Sequence, residues 1–196
     1  MKRIQPLTVL LISFTLISGA GHAAGSAISE NAITDILAND LTIVIMRHAE
    51  KPANGDNLSC KGFNRSLQLP AVIRRKFGVP NYVYVPAPTT GKETKSGRMI
   101  QTVWPLATKY NLTINTSYGV KDAEDLVKSI KTKKGTVLVV WEHDAISDII
   151  KKLGVKGGLK WPGSDYDGLW VITIRSGKIT FSKSTQGLNP SVNCSF

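Results

Sequence analysis

A chain of 196 residues in which 25 Lys and Arg stand against 14 Asp and Glu carries a formal charge of +11, with 42% hydrophobic and 20% charged residues. That balance suits one globular core and excludes a disordered or fibrous chain, while the positive excess attracts anions such as phosphorylated molecules, lipopolysaccharide and nucleic acids. The two cysteines, Cys60 and Cys194, have neither CxxC nor metal-ligand spacing, which argues against cysteine chemistry as the function and leaves an even pair that an oxidising compartment can join.

In chain order, Lys2 and Arg3 precede an apolar stretch from Leu7 to Ile17, followed by the small residues Gly21, Ala23 and Ala24. This is the layout of a secretory signal peptide with cleavage after Ala23 or Ala24. The chain therefore divides into residues 1–23 as signal peptide, 24–40 as an N-terminal extension and 41–196 as the working domain, exported, to the periplasm. The apolar run is shorter than the roughly 20 residues that span a bilayer, and no later segment is long enough, so no transmembrane segment is expected after cleavage. Losing Lys2 and Arg3 leaves the domain strongly basic.

Leu41 to Met46 is continuously apolar and β-branched, as in a strand buried on both faces, and it ends abruptly at Arg47. Gly62 to Phe77 reads as helical, with Pro70 starting a second helical piece because proline suits a first turn and breaks an interior. A short strand, Tyr82 to Val85, precedes the loop PAPTTGKETKSG. The loop delivers Arg98 to an amphipathic stretch in which Met99, Val103, Leu106, Ala107 and Tyr110 recur at helical spacing. Asp122 to Lys131 repeats that pattern. Thr136 to Trp141 is a second buried strand, ending at Glu142 and His143, and Ile146, Ile149, Ile150 and Leu153 mark the helix after it. LWVITI and KITFSKS, joined by Ser176 and Gly177, read as a hairpin. The residues after it carry little periodic signal and read as a tail pinned by Cys194. Strands alternating with helices indicate an α/β fold: a three-layer sandwich with a mainly parallel central sheet flanked by helices and an antiparallel edge strand near the C-terminus.

Of the three histidines, His22 leaves with the signal peptide, and His48 and His143 each follow a buried strand. Ligands bind beyond the carboxyl ends of strands in such sheets, so both imidazoles share one crevice if their strands run parallel and close together. Either histidine alone reads most simply as a hydrogen-bonded structural residue; the pair beside Arg47 reads as a site. Arg47 and Arg98 around two imidazoles make a phosphate clamp, because guanidinium forks bind phosphate oxygens bidentately and stay charged, and a neutral imidazole nitrogen can attack phosphorus in line. Glu50 has two open readings: a solvated charge at a strand end, or a partner that orients an arginine.

These residues carry a resemblance. TIVIMRHAEKP resembles the RHG-type signature of the histidine phosphatase superfamily, also called phosphoglycerate mutase-like. DNLSCKGFNRSLQLP resembles that family's LSxxGxxRA segment, SGRMIQTVWPLA its second-arginine helix and TVLVVWEHDAI its second-histidine strand, all in the family's order from about Leu41 to Trp170. The resemblance implies that His48 is the phosphorylated nucleophile, that Arg47, Arg98 and His143 bind the phosphoryl group, and that no metal or organic cofactor is required. Ala49 stands where many members have Gly. The general acid lacks a clear counterpart. His143 and Asp144 resemble the HD pair of the phytase and acid phosphatase branch, which ranks Asp144 first, ahead of Glu142 and Glu93, although Asp144 also stands where it could cap the next helix.

The resulting expectation is a metal-independent phosphomonoester hydrolase, since the chain is short of the insertions that close over the substrate in the mutase branch. Its substrate is a phosphorylated small molecule or a lipopolysaccharide-type envelope molecule, and a phosphoprotein remains open. The competing readings are a phosphate-binding member without effective turnover and a basic envelope or nucleic-acid-binding protein. No nucleic-acid module is present, so no nucleic-acid partner is expected. A two-histidine metal site with Glu50 or Asp144 is opposed by Arg47 and Arg98, which repel a cation.

Overall fold

The computed structural model describes residues 40–89, 96–194 and 196; the expected signal peptide, most of the extension and Glu93 lie outside them. Six strands form one sheet in the order β3-β2-β4-β1-β5-β6. β1 (Leu41–Arg47) pairs in parallel with β4 (Gly135–Trp141), β4 with β2 (Tyr82–Tyr84), and β2 with β3 (Ile114–Asn115). β5 (Gly168–Arg175) runs antiparallel to β1, and β6 (Lys178–Thr185) antiparallel to β5. The sandwich with a mainly parallel sheet and an antiparallel C-terminal edge is thus observed.

Helices α1 (Cys60–Phe77) and α2 (Gly97–Tyr110) pack on each other, as do α3 (Ala123–Lys131) and α4 (His143–Leu153). The crossovers through α1 and α2 step one way along the sheet and that through α3 steps back. Right-handed connections therefore put the two helix pairs on opposite faces. Covered on both sides, β1 and β4 bury Ile43, Ile45, Met46, Leu138 and Trp141 completely, which explains their unbroken apolar sequences.

Local chemistry sets the element ends. The Ser59 hydroxyl accepts from Gly62 N–H to cap α1, and Gly78, with φ 77°, ends it. Asn111 and Gly154 end α2 and α4 in the left-handed conformation. Ser176 and Gly177, both at positive φ, make the two-residue turn between β5 and β6 whose twist matches the flanking strands.

One expectation is corrected, and one element was not foreseen. α1 runs unbroken through Pro70: the helix loses one backbone bond there, but Leu69, Pro70, Val72 and Ile73 are buried together, and that burial outweighs the roughly 3 kcal/mol that an interior proline costs. β3 was not foreseen, because two residues are too few to show alternation. Among the described residues no helix is long and apolar enough to cross a membrane.

The tail is pinned. Cys60 and Cys194 form a disulfide across 134 residues of sequence, Asn64 donates to the Ser191 and Asn193 carbonyls, and the Phe63 and Phe196 rings pack 4.5 Å apart. Opening so long a covalent loop frees the unfolded chain. Cys194→Ser is expected to lower unfolding stability by about 2–5 kcal/mol in urea titrations; an unchanged midpoint would show that the disulfide contributes nothing to the stability of the fold.

Candidate active site

β1 and β4 lie side by side in register, Arg47 opposite Trp141, and the His48 backbone N–H donates to the Trp141 carbonyl at 3.2 Å. The two histidines expected to meet therefore leave the same sheet edge on adjacent strands. His48 is buried, with 3% of its surface exposed. Its Nδ1 lies 2.7 Å from the Ala49 carbonyl oxygen. A carbonyl only accepts, so Nδ1 carries the hydrogen and, in the neutral ring, Nε2 keeps the lone pair.

Arg47 is 1% exposed at the end of β1. Its guanidinium lies over the Tyr166 ring, 3.8 Å from the centroid, and donates to the Gly163 carbonyl. Gly163 in turn approaches the second histidine: a Cβ placed on it would stand 3.6 Å from His143 Nε2. The loop between α4 and β5 thus bridges Arg47 and His143, with the Tyr166 ring 6.1 Å from that of His48.

Arg98 arrives from another direction. Its carbonyl accepts from the Thr102 hydroxyl, and Thr102 Oγ1 accepts from the Ala49 N–H at 2.9 Å, so the first turn of α2 is fastened to the residue after His48. The Arg98 guanidinium donates to the Gly55 carbonyl at 2.7 Å and lies 3.6 Å from Asp56. Neither α2 nor α4 has a side-chain cap at its start, which leaves N-terminal backbone donors beside Arg98 and His143. Buried Arg47 Nε, Arg98 Nε and His143 Nδ1 have no hydrogen-bond partner. Three such nitrogens from three elements around one imidazole suit a ligand rich in acceptor oxygens.

Beneath the site lies a second arginine network. Arg65, 3% exposed on the buried face of α1, makes paired 2.9 Å bonds to both Glu50 oxygens and reaches Asp167, Gln186 and the Leu188 carbonyl. Glu50 is therefore the partner that orients an arginine. Gly62 permits this arrangement, since a Cβ there would overlap the Glu50 carbonyl oxygen. Burial acts to lower the Arg65 pKa, but the bonds and charges of Glu50 and Asp167 outweigh it and raise the value. At Asp167 burial is likewise outweighed, by the N–H groups of Leu188 and Gly187 and by Arg65, and its pKa falls.

His48 behaves differently. Burial above all, then the positive charges of Arg47, Arg98 and His143, push its pKa from 6.5 down to about 4 against the opposing pull of the Ala49 carbonyl. The ring is neutral at pH 7. Burial also lowers the Arg47 pKa, yet a guanidinium starts so high that its charge stays.

Arg47, His48, Arg98 and His143 are thus grouped as the sequence suggested. Asp144 lies in the first turn of α4, with its side chain 83% exposed and Oδ1 3.3 Å from His143 Nε2. Glu142 rather than Asp144 takes the capping position, without a cap bond. No three His, Cys, Asp or Glu side chains among the described residues converge as a metal-binding group. Tyr166, Gly163, Thr102 and Arg65 were not singled out by sequence. Arg65 left two signals: it falls on the arginine of the LSxxGxxRA resemblance, and it is a charge in the buried series with Leu69 and Val72 at i+4 and i+7.

No family model matches the chain, and no curated protein sequence matches it. Solved structures do resemble it. A protein histidine phosphatase, SixA, complexed with tungstate superposes with a TM-score of 0.55 at 17% identity, covering 74% of this chain and 97% of that one. A mycobacterial glucosyl-3-phosphoglycerate phosphatase with inorganic phosphate gives 0.53 at 12% identity, covering 74% and 95%. A phosphoglycerate mutase from Bacillus anthracis gives 0.51 at 15% identity, covering 76% and 95%. With two histidines and two arginines gathered over the carboxyl edge of a sheet shared with these proteins, the chain has the histidine phosphatase fold, also called phosphoglycerate mutase-like.

Proposed function

We propose that the protein is a phosphomonoester hydrolase of the histidine phosphatase superfamily that works through a phosphohistidine on His48 and needs no metal. The observation that carries this reading is the neutral His48 ring, with its Nδ1 hydrogen committed to the Ala49 carbonyl, set among the Arg47 and Arg98 guanidiniums and the His143 imidazole. Nε2 attacks the phosphorus of a bound monoester, the P–O bond to the alcohol breaks, and the phosphoryl group moves to nitrogen. Charge spreads over the three equatorial oxygens, where fixed guanidinium and imidazole groups lower the barrier without reorganising. Asp144, exposed and 3.3 Å from His143 Nε2, supplies the proton that the leaving alcohol oxygen takes up. It then accepts one from the water that cleaves the P–N bond, which releases phosphate and restores His48.

The two structures with bound tungstate and inorganic phosphate support an oxyanion as the ligand. The N-terminal leader pattern and the Cys60–Cys194 disulfide support export to an oxidising compartment, the periplasm, where phosphorylated small molecules and phosphorylated envelope components are the candidate substrates.

The deciding experiment is turnover of p-nitrophenyl phosphate with chelator present, followed by acid quench to trap phosphoenzyme. Wild type is expected to turn over and trap label, and His48→Ala to lose both, with a rate loss on the order of a thousandfold or more. Binding of vanadate with no turnover would move the protein to a phosphate-binding role.

Tyr166→Leu removes the ring under Arg47 and is expected to raise KM roughly two- to thirtyfold, the 0.5–2 kcal/mol of a cation–π contact, with Tyr166→Phe close to wild type. An equal loss in both variants would assign the effect to the hydroxyl instead. For pH, unfolded histidine protonates near 6.5 and folded His48 near 4. The contribution to stability is complete above 6.5 and is lost as pH falls through about 4. Imidazole NMR of the free protein is expected to find His48 neutral between those values, and titration at 6.5 would contradict its burial among cations.

A further inference from the structure

Neither α1 nor α2 contains an acidic residue, whereas α3 and α4 carry Glu124, Asp125, Asp144 and Asp148. Arg65 and Arg98 are committed to the site, which leaves Lys61, Arg74, Arg75, Lys76 and Lys109 as the remaining charges of the first layer. On the same layer, large apolar side chains face outward: Trp104 is 60% exposed, Leu67 47% and Phe196 66%. A groove of about 530 Å³ between the helices is lined by Phe63, Leu67, Ile100, Trp104, Pro105 and Lys109, among others. It shares Phe63 and Gln101 with a second groove in which Phe196 lies beside Cys194, so the disulfide holds the tail's last aromatic ring against the patch. Leu67, Ala71 and Arg74, at i, i+4 and i+7, stand on one face of α1.

We infer that this face docks the protein on an anionic lipid surface, with Trp104, Leu67 and Phe196 entering the boundary between headgroups and acyl chains and Arg74 and Lys109 pairing with lipid phosphates. Charge complementarity selects the occupant. A second copy of the chain would set acid-free helix against acid-free helix in a symmetric contact and repel itself. A lipid surface offers apolar depth and dense negative charge together, the combination that an exposed tryptophan beside Lys109 on an acid-free helical layer matches. The face also borders the catalytic loop, because Gln101 accepts from the Leu58 N–H and donates to the Asn57 side chain. Docking there holds the loop that follows His48 next to the lipid headgroups.

The test uses the full chain with vesicles of phosphatidylcholine alone or mixed with phosphatidylglycerol. The apolar Leu7 to Ile17 segment can bind lipid by itself but contains no tryptophan, and Trp141, Trp161 and Trp170 are buried, so tryptophan emission isolates Trp104. The expected result with phosphatidylglycerol is a blue shift and quenching by brominated acyl chains. Both should vanish in Trp104→Phe, which keeps wild-type turnover of a soluble phosphomonoester. The double variant Arg74→Glu and Lys109→Glu should bind the mixed vesicles roughly tenfold more weakly or worse. The inference fails if Trp104 stays open to aqueous acrylamide while the chain sediments with vesicles. It also fails if Trp104 becomes shielded without lipid as protein concentration rises, which would assign the face to a second copy.

Discussion

The parallel pairing of β1 with β4 is the constraint on which the site depends. It holds the His48 backbone against Trp141, so that Arg47, His48 and His143 leave one edge of the sheet within reach of one ligand. Parallel strands must be covered on both faces, and the cover brings the remaining parts: α2 carries Arg98 to the same edge, and the loop before β5 carries Gly163 and Tyr166. A slip of one residue between β1 and β4 would turn Arg47 and His48 to opposite faces and separate them from His143. The wholly buried Ile43, Ile45 and Met46 hold that register through their packing.

Polar groups then divide into two sets with opposite states of satisfaction. Arg65 is saturated by Glu50, Asp167, Gln186 and the Leu188 carbonyl, and a buried charge so fully paired works as a brace rather than as a source of net stability. Arg47, Arg98 and His143 each keep a buried nitrogen without a partner. The braced arginine holds Glu50, two residues past His48, and so orders the segment that follows β1. The lowered pKa of His48 follows from the same crowding: positive charge that would suppress a cation favours an incoming anion.

Much of this was legible in the sequence where the signal was local. Continuous apolar runs gave β1 and β4, and a histidine within two residues of the end of each gave the site its address. The charged outlier in the α1 stripe pointed to Arg65 only weakly. Tyr166 and Gly163 were hidden because they sit in a turn whose path is set by tertiary contacts, not by periodicity. Pro70 misled because a proline's local preference was weighed without the burial that overrides it. The disulfide was readable as an even count, but its role in holding Phe196 against Phe63 depends on packing between segments far apart in the chain.

The partners of Arg65 have a consequence for how the chain matures. His48, Glu50 and Arg65 lie in the first half of the sequence, while Asp167, Gln186, Leu188 and Cys194 lie in its last 30 residues. A chain made from its N-terminus onward completes both histidine strands long before the brace and the covalent clasp exist. The surroundings of His48 are therefore completed last, by the arrival of the C-terminal segment. A polypeptide cut short before Asp167 would carry every residue of the clamp and still lack the means to hold it in place.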